Sequence, residues 1–160
     1  MPGMGFQDDR FWWGGQRKRS TLHEGIDFYQ YRTRSGNMRS LPANLCIPSL
    51  QDGEVVRIHE DFLGSSVYVR HATGSRAETS LHVVFGHIKP VNLLSLGRRV
   101  LAGEVLGFLE PPVINNRSAP MHLHMSLAWI KDTVLPDRLS WDLLRDTEFA
   151  TLIDPDASIF

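Results

Sequence analysis

The sequence has a single cysteine, Cys46, which excludes an intrachain disulfide. Within the apolar run Leu45-Cys46-Ile47 it reads as a small core residue. No apolar run approaches the roughly 20 residues that a membrane-spanning helix needs. Nor is there a long run of one charge: 17 basic residues stand against 18 acidic ones, for a formal net charge of -1. That balance argues against a nucleic-acid or anionic-membrane partner, and the short patch Arg17-Lys18-Arg19 reads as a solvated loop. The N-terminus lacks the basic-then-apolar layout of a signal peptide. Helical periodicity is scarce as well, with no convincing segment before Ser140. Internal repeats and low-complexity tracts are missing, so the chain reads as an arm over residues 1–20 and one domain over residues 21–160.

What is present is enough for a real core: 160 residues, of which 42% are hydrophobic. The arm is rich in glycine and aromatics, with Phe11-Trp12-Trp13 ahead of Gly14-Gly15, and its tryptophans are expected to pack onto the domain. From Arg39 onward short β-rich runs alternate with turns. Asp52-Gly53 opens Glu54-Val55-Val56-Arg57-Ile58, and Leu63-Gly64 opens Ser66-Val67-Tyr68-Val69-Arg70-His71. A polar loop is expected over residues 72–79, and a strand over Leu81 to Ile88. Regular glycines over residues 97–107 suit tight turns in a compact β fold. Residues 110–120 (EPPVINNRSAP) read as a surface loop. Ser140 is the expected N-cap of a helix over residues 141–150.

Two stretches carry chemistry. In Met121-His122-Leu123-His124-Met125-Ser126-Leu127, strict alternation puts both imidazoles on one face of a strand and apolar side chains on the other. About a hundred residues earlier, His23-Glu24-Gly25-Ile26-Asp27 offers an imidazole and a carboxylate four apart. The order is superficially similar to a helical HExxH, but Gly25, Ile26 and the pair Phe28-Tyr29 favour a strand, on which residues four apart still share a face. Glu24 and Glu110 read as solvated. His59, His71 and His82 have no motif around them and read as structural or surface residues.

Together, His23-Glu24-Gly25-Ile26-Asp27, Phe85-Gly86-His87-Ile88, the glycines of residues 97–107 and the HxH element resemble the lysostaphin-like (LytM-type) zinc endopeptidases. The likeness covers about residues 14–130, and Asp154-Pro155 is similar to that family's close. It implies an all-β, mainly antiparallel fold: a small β-barrel or sandwich of the duplicated hybrid motif type, with a short C-terminal helix and the site in a groove. It implies that His23, Asp27 and His124 bind one zinc ion, while His87 and His122 act on the substrate and its attacking water. The implied substrate is a stem or cross-link peptide of bacterial peptidoglycan, and the implied location is the cell envelope or periplasm. Without a recognisable signal peptide, a trimmed or cytoplasmic chain stays open. The sequence departs from the family at Phe85, usually Tyr, and at Met125 and Ser126, usually Phe and an acidic residue. A proline-rich loop also replaces the usual glycine-rich turn before His122. These departures bear on substrate preference and are expected to leave the metal site untouched.

Two imidazoles and one carboxylate leave a zinc ion one open position, the arrangement of a catalytic centre. Imidazole, with an ordinary pKa near 6.5, suits the remaining proton transfers. Which of His87 and His122 is the base stays open, as does a set in which His122 and His124 are both ligands. A second class of function is a non-catalytic, peptidoglycan-binding or hydrolase-activating module on the same scaffold. A third, a biotinyl or lipoyl carrier or a glucose-type sugar phosphocarrier, needs an exposed turn lysine or a metal-free phospho-accepting histidine, and neither is evident.

Overall fold

A computed structural model describes residues 2–15, 17–111 and 119–159. The loop expected over residues 110–120 falls for its greater part outside them. Among the described residues eleven strands are formed in chain order: β1 (Ile26–Phe28), β2 (Gln30–Arg32), β3 (Met38–Ser40), β4 (Cys46–Pro48), β5 (Gly53–Glu60), β6 (Ser65–Arg76), β7 (Thr79–Pro90), β8 (Arg99–Val100), β9 (Val105–Leu109), β10 (Leu123–Lys131) and β11 (Ala150–Ile153). Two short helices, α1 (Trp141–Arg145) and α2 (Pro155–Ile159), lie near the end of the chain. The main sheet runs β1-β10-β7-β6-β5-β8, with β11 on β10, β9 on β7 and β4 on β9, while β2 and β3 form a separate hairpin. Every pairing is antiparallel. The sheet does not close on itself, so the class is all-β and "barrel" applies only loosely.

Two-residue alternation puts core on both faces of the central strands. Val67 and Val69 of β6, Val83 and Phe85 of β7, and Met125 and Leu127 of β10 fill one cluster. Tyr68, Val84, Ala128 and Ile130 point the other way and pack with Leu143 and Leu144 of α1. His124 and Ser126 lie on this second face, four and two residues before Ala128.

Several local expectations need correction. The loop expected over residues 72–79 is mostly strand, because β6 and β7 continue to a two-residue turn at Ala77 and Glu78, both at positive φ. Such turns match the twist of the strands they join. The helix expected over residues 141–150 stops at Arg145. Ser140 does cap it, accepting from Leu143 N at 3.2 Å, but Asp146 then accepts from Glu148 N at 3.0 Å and turns the chain out of the helix. Ala150 instead begins β11 on the edge of β10. Cys46 is exposed, because alternation along β4 turns Ile47 into the core.

Candidate metal centre

The site is assembled by register. Asp27 lies opposite His124 across β1 and β10, and His124 lies opposite Gly86 across β10 and β7, which delivers His87 to the same edge. His23 and His122 sit just ahead of β1 and β10. Two glycines let these strands approach. A Cβ on Gly25 would stand 2.2 Å from the Met125 carbonyl and 2.8 Å from His124 Nε2, and one on Gly86 would stand 3.0 Å from the Trp141 ring.

Three donor atoms converge. His23 Nε2 and His124 Nδ1 are 3.1 Å apart, His124 Nδ1 and Asp27 Oδ1 2.8 Å, and His23 Nε2 and Asp27 Oδ1 3.3 Å. Around a tetrahedral zinc with bonds of about 2.0–2.2 Å, neighbouring ligand atoms are roughly 3.3–3.5 Å apart. The triangle therefore fits one such ion after small outward shifts. His122 Nε2 lies 3.6 Å from Asp27 Oδ1, buried and without a hydrogen-bond partner. The His87 and His122 rings stand 4.8 Å apart between centroids.

The groups around the triangle fix which atoms face inward. His23 Nδ1–H donates to the Gly5 carbonyl at 2.8 Å, and His122 Nδ1–H to the Pro120 carbonyl at 2.8 Å, so each Nε2 keeps its lone pair. Ser126 Oγ, 2.9 Å from His124 Nε2, accepts the proton there in the tautomer that leaves Nδ1 bare. Trp12 Nε1–H donates to Asp27 Oδ2 at 2.7 Å, and the Arg19 guanidinium is 3.6 Å from the same oxygen. Oδ1 is thereby left for the donor triangle. Outer partners of this kind orient ligands and tune their basicity.

Metal ligands must be deprotonated, and the surroundings of Asp27 and His124 favour that state. Burial would raise the Asp27 carboxyl, but hydrogen bonds from His124 and His23, whose inward protons a bound metal would replace, outweigh it and hold the group well below the usual carboxylate range. Burial pushes His122 down to about 4, against the pull of Asp27, and lowers His124 in the same way. Burial thus favours the neutral imidazole at His122 and His124, beside a carboxylate that stays ionised at Asp27. The cluster opens on a cleft of about 430 Å³, with Phe11, Trp13, Phe62 and Trp141 among its walls and Arg17 and Arg145 at its polar side.

The structure brings together His23, Asp27, His87, His122 and His124, all read from the sequence; His59, His71 and His82 lie outside the cluster. Other expectations fail. Ser126 is not remote from the donor cluster, since its hydroxyl touches the His124 ring. Glu24 is buried and paired with Arg145 at 3.0 Å. Arg19 is no solvated loop residue, because it packs its guanidinium on Phe11, 4.6 Å from the ring centroid. His122 is only 1% exposed, covered by Trp12 and Trp13 at centroid distances of 5.3 and 5.4 Å.

Sequence reasoning missed Asp61, which bonds His87, as well as the arm's Trp12 and Gly5 carbonyl. Asp61 sits in a turn 26 residues from His87, and nothing local ties the two. A backbone carbonyl leaves no trace in a sequence at all.

No family model matches the chain, and no curated protein matches it in sequence. Solved structures do. The chain is similar to the catalytic domain of the antimicrobial peptidase lysostaphin from Staphylococcus simulans (TM-score 0.60, 16% identity, 98% of this chain and 90% of that one). It is also similar to LytU (TM-score 0.57, 20% identity, 99% and 86%) and to a chain of the SpoIIIAH and SpoIIQ complex (TM-score 0.54, 19% identity, 98% and 90%). Likeness over nearly the whole of each chain, on a sheet that gathers these five residues at one edge, means that this protein has the LytM-type fold of lysostaphin.

Proposed function

We propose that the protein is a zinc-dependent endopeptidase that hydrolyses peptide bonds in the stem or cross-link peptides of peptidoglycan and works in the cell envelope. The observation that carries the reading is the convergence of His23 Nε2, Asp27 Oδ1 and His124 Nδ1 within 4.8 Å of one another, with two further imidazoles at the same cleft. The donor chemistry, two nitrogens and one carboxylate oxygen, suits zinc. When bound, zinc supplies Lewis acidity and makes water acidic enough to be a nucleophile near neutral pH.

The chain's own residues supply the rest. His122, neutral at pH 7 and with an unpartnered Nε2, and His87 are the groups that accept and return the proton as the amide bond breaks. The open cleft admits an extended peptide, and its aromatic walls exclude water from that peptide's flanks.

Zinc content of the purified protein, read with digestion of purified peptidoglycan, tests this. About one zinc per chain and released wall peptides are expected. His124→Ala should lose both zinc and digestion, whereas His122→Ala should keep zinc and lose digestion. Zinc without any wall cleavage by the unaltered protein would favour the non-catalytic module instead, and absence of zinc binding would overturn the proposal.

A further inference from the structure

His87 stands in a conformation that its own chemistry does not favour. Its φ is 64°, in the left-handed region that few non-glycine residues occupy. The cause is a β-bulge. Ser65 pairs with Ile88 and Val67 with Phe85, so that Ser66 alone faces both Gly86 and His87. A bulge re-aims one side chain and frees one backbone N–H from the ladder. Here the ring is aimed at His122, and the freed N–H needs a partner.

Asp61 is that partner, and more. In the turn between β5 and β6, closed by Asp61 N to the Gly64 carbonyl at 2.9 Å, its carboxylate accepts five hydrogen bonds. Oδ1 receives Leu63 N, Gly64 N and His87 Nδ1–H, each at 2.9 Å. Oδ2 receives Ser66 Oγ–H at 2.7 Å and the freed His87 N–H at 3.0 Å. The side chain is 1% exposed. Burial alone would raise its pKa, but the bonds from His87, Leu63 and Ser66 lower it, so the group is an ionised, acceptor-only carboxylate.

We propose that Asp61 is a positioning residue: by gripping both the backbone N–H and the ring Nδ1 of His87, it holds the bulge and fixes the ring as the Nδ1–H tautomer with Nε2 bare toward the cleft. The argument is one of hydrogen-bond logic. An oxygen already receiving two backbone N–H groups and carrying no proton can only accept from the ring. Carbonyl partners give His23 and His122 the same orientation, whereas His87 is oriented by a carboxylate outside the donor triangle. Asparagine cannot substitute. With its amide nitrogen toward His87 Nδ1 it would donate, driving the proton to Nε2; turned over, it would present N–H to Ser66 and to the His87 N–H.

The role of the tautomer in turnover rests on the peptidase reading; the hold on the ring does not. The test is ¹⁵N NMR of histidine-labelled full-length protein at mildly alkaline pH, where imidazole is neutral, with the His87 signals assigned by their loss in His87→Gln. The unaltered protein should show His87 with a proton on Nδ1 and a bare Nε2. In Asp61→Asn the pattern should shift toward Nε2–H or a mixture, and peptidoglycan digestion should drop about 100-fold or more in kcat with KM changed less than about 3-fold. Zinc content should be unchanged. A His87 ring protonated at Nε2 in the unaltered protein would overturn the proposal, even if Asp61→Asn failed to fold. So would an Asp61→Asn protein with an unaltered His87 pattern. If the unaltered protein showed the Nδ1–H ring yet digested no wall, the peptidase reading would fall while the hold by Asp61 stood.

Discussion

Ser126 stands where the lysostaphin-like proteins usually carry an acidic residue, and its hydroxyl is 2.9 Å from His124 Nε2. A hydroxyl accepts that proton without adding charge, so the His124 ring, as the proposed ligand, is oriented but less electron-rich than one backed by a carboxylate. Removing the hydroxyl in Ser126→Ala should weaken zinc binding by about 10-fold, measured by competition with a chelating dye. An unchanged affinity would mean that the ring is held by packing alone. Trp12→Phe keeps the aromatic cover of His122 but leaves Asp27 Oδ2 without its 2.7 Å donor, and a similar loss of about 10-fold is expected in the same titration. His82 tests the electrostatics away from the site. Burial pushes its pKa from 6.5 to about 4, so the unfolded chain takes up a proton first as pH falls. Its contribution to stability is therefore whole above about pH 6.5 and is lost progressively toward about pH 4. In His82→Gln the fall in unfolding free energy between about pH 7 and about pH 5 should shrink by on the order of 1–2 kcal/mol. Parallel pH curves for the two proteins would contradict this.

At the scale of elements, β10 was the most legible part of the chain, because alternation over residues 121–130 is both its strand signal and its site signal. Asp27 and His23 could be set on one face from their spacing. The distance between the two motifs, about a hundred residues, is closed only by the Asp27 and His124 pairing, which no local pattern states. The N-terminal arm was the least legible. Its bonds to the site run through backbone groups, with Asp27 N donating to the Met4 carbonyl at 2.9 Å and Gln7 N to the His23 carbonyl at 2.8 Å, and these depend on no particular side chain. The expected helix over residues 141–150 failed for a related reason: a free edge on β10 offered Ala150–Ile153 four pairings, and tertiary pairing overrode helical spacing. Gly25 marks where β1 meets β10. Its replacement by alanine would press a methyl onto the Met125 carbonyl at 2.2 Å, forcing the strands apart. Gly25→Ala should cost about 1–3 kcal/mol in chemical denaturation and abolish stoichiometric zinc. A variant that binds zinc normally would mean that the approach is less tight than the register requires.

For the whole molecule, the two cores hold one sheet whose β1-β10-β7 edge carries every proposed ligand and the two further imidazoles, while the arm and α1 wall the cleft through Phe11, Trp13 and Trp141. Zinc bound to ligands from positions 23, 27 and 124 would tie the N-terminal third of the chain to β10. A site present only in the folded state stabilises it by mass action, about 2.7 kcal/mol when free zinc is 100 times its dissociation constant. Chelation should accordingly lower the thermal midpoint by several degrees, reversibly on adding zinc back. X-ray absorption at the zinc edge of the loaded, unaltered protein tests the central claim most directly. The account predicts four light scatterers at about 2.0–2.2 Å, of which two are imidazoles, one is the Asp27 carboxylate and the last is exchangeable. Three or four imidazoles in that shell would place His122 or His87 on the metal and contradict it.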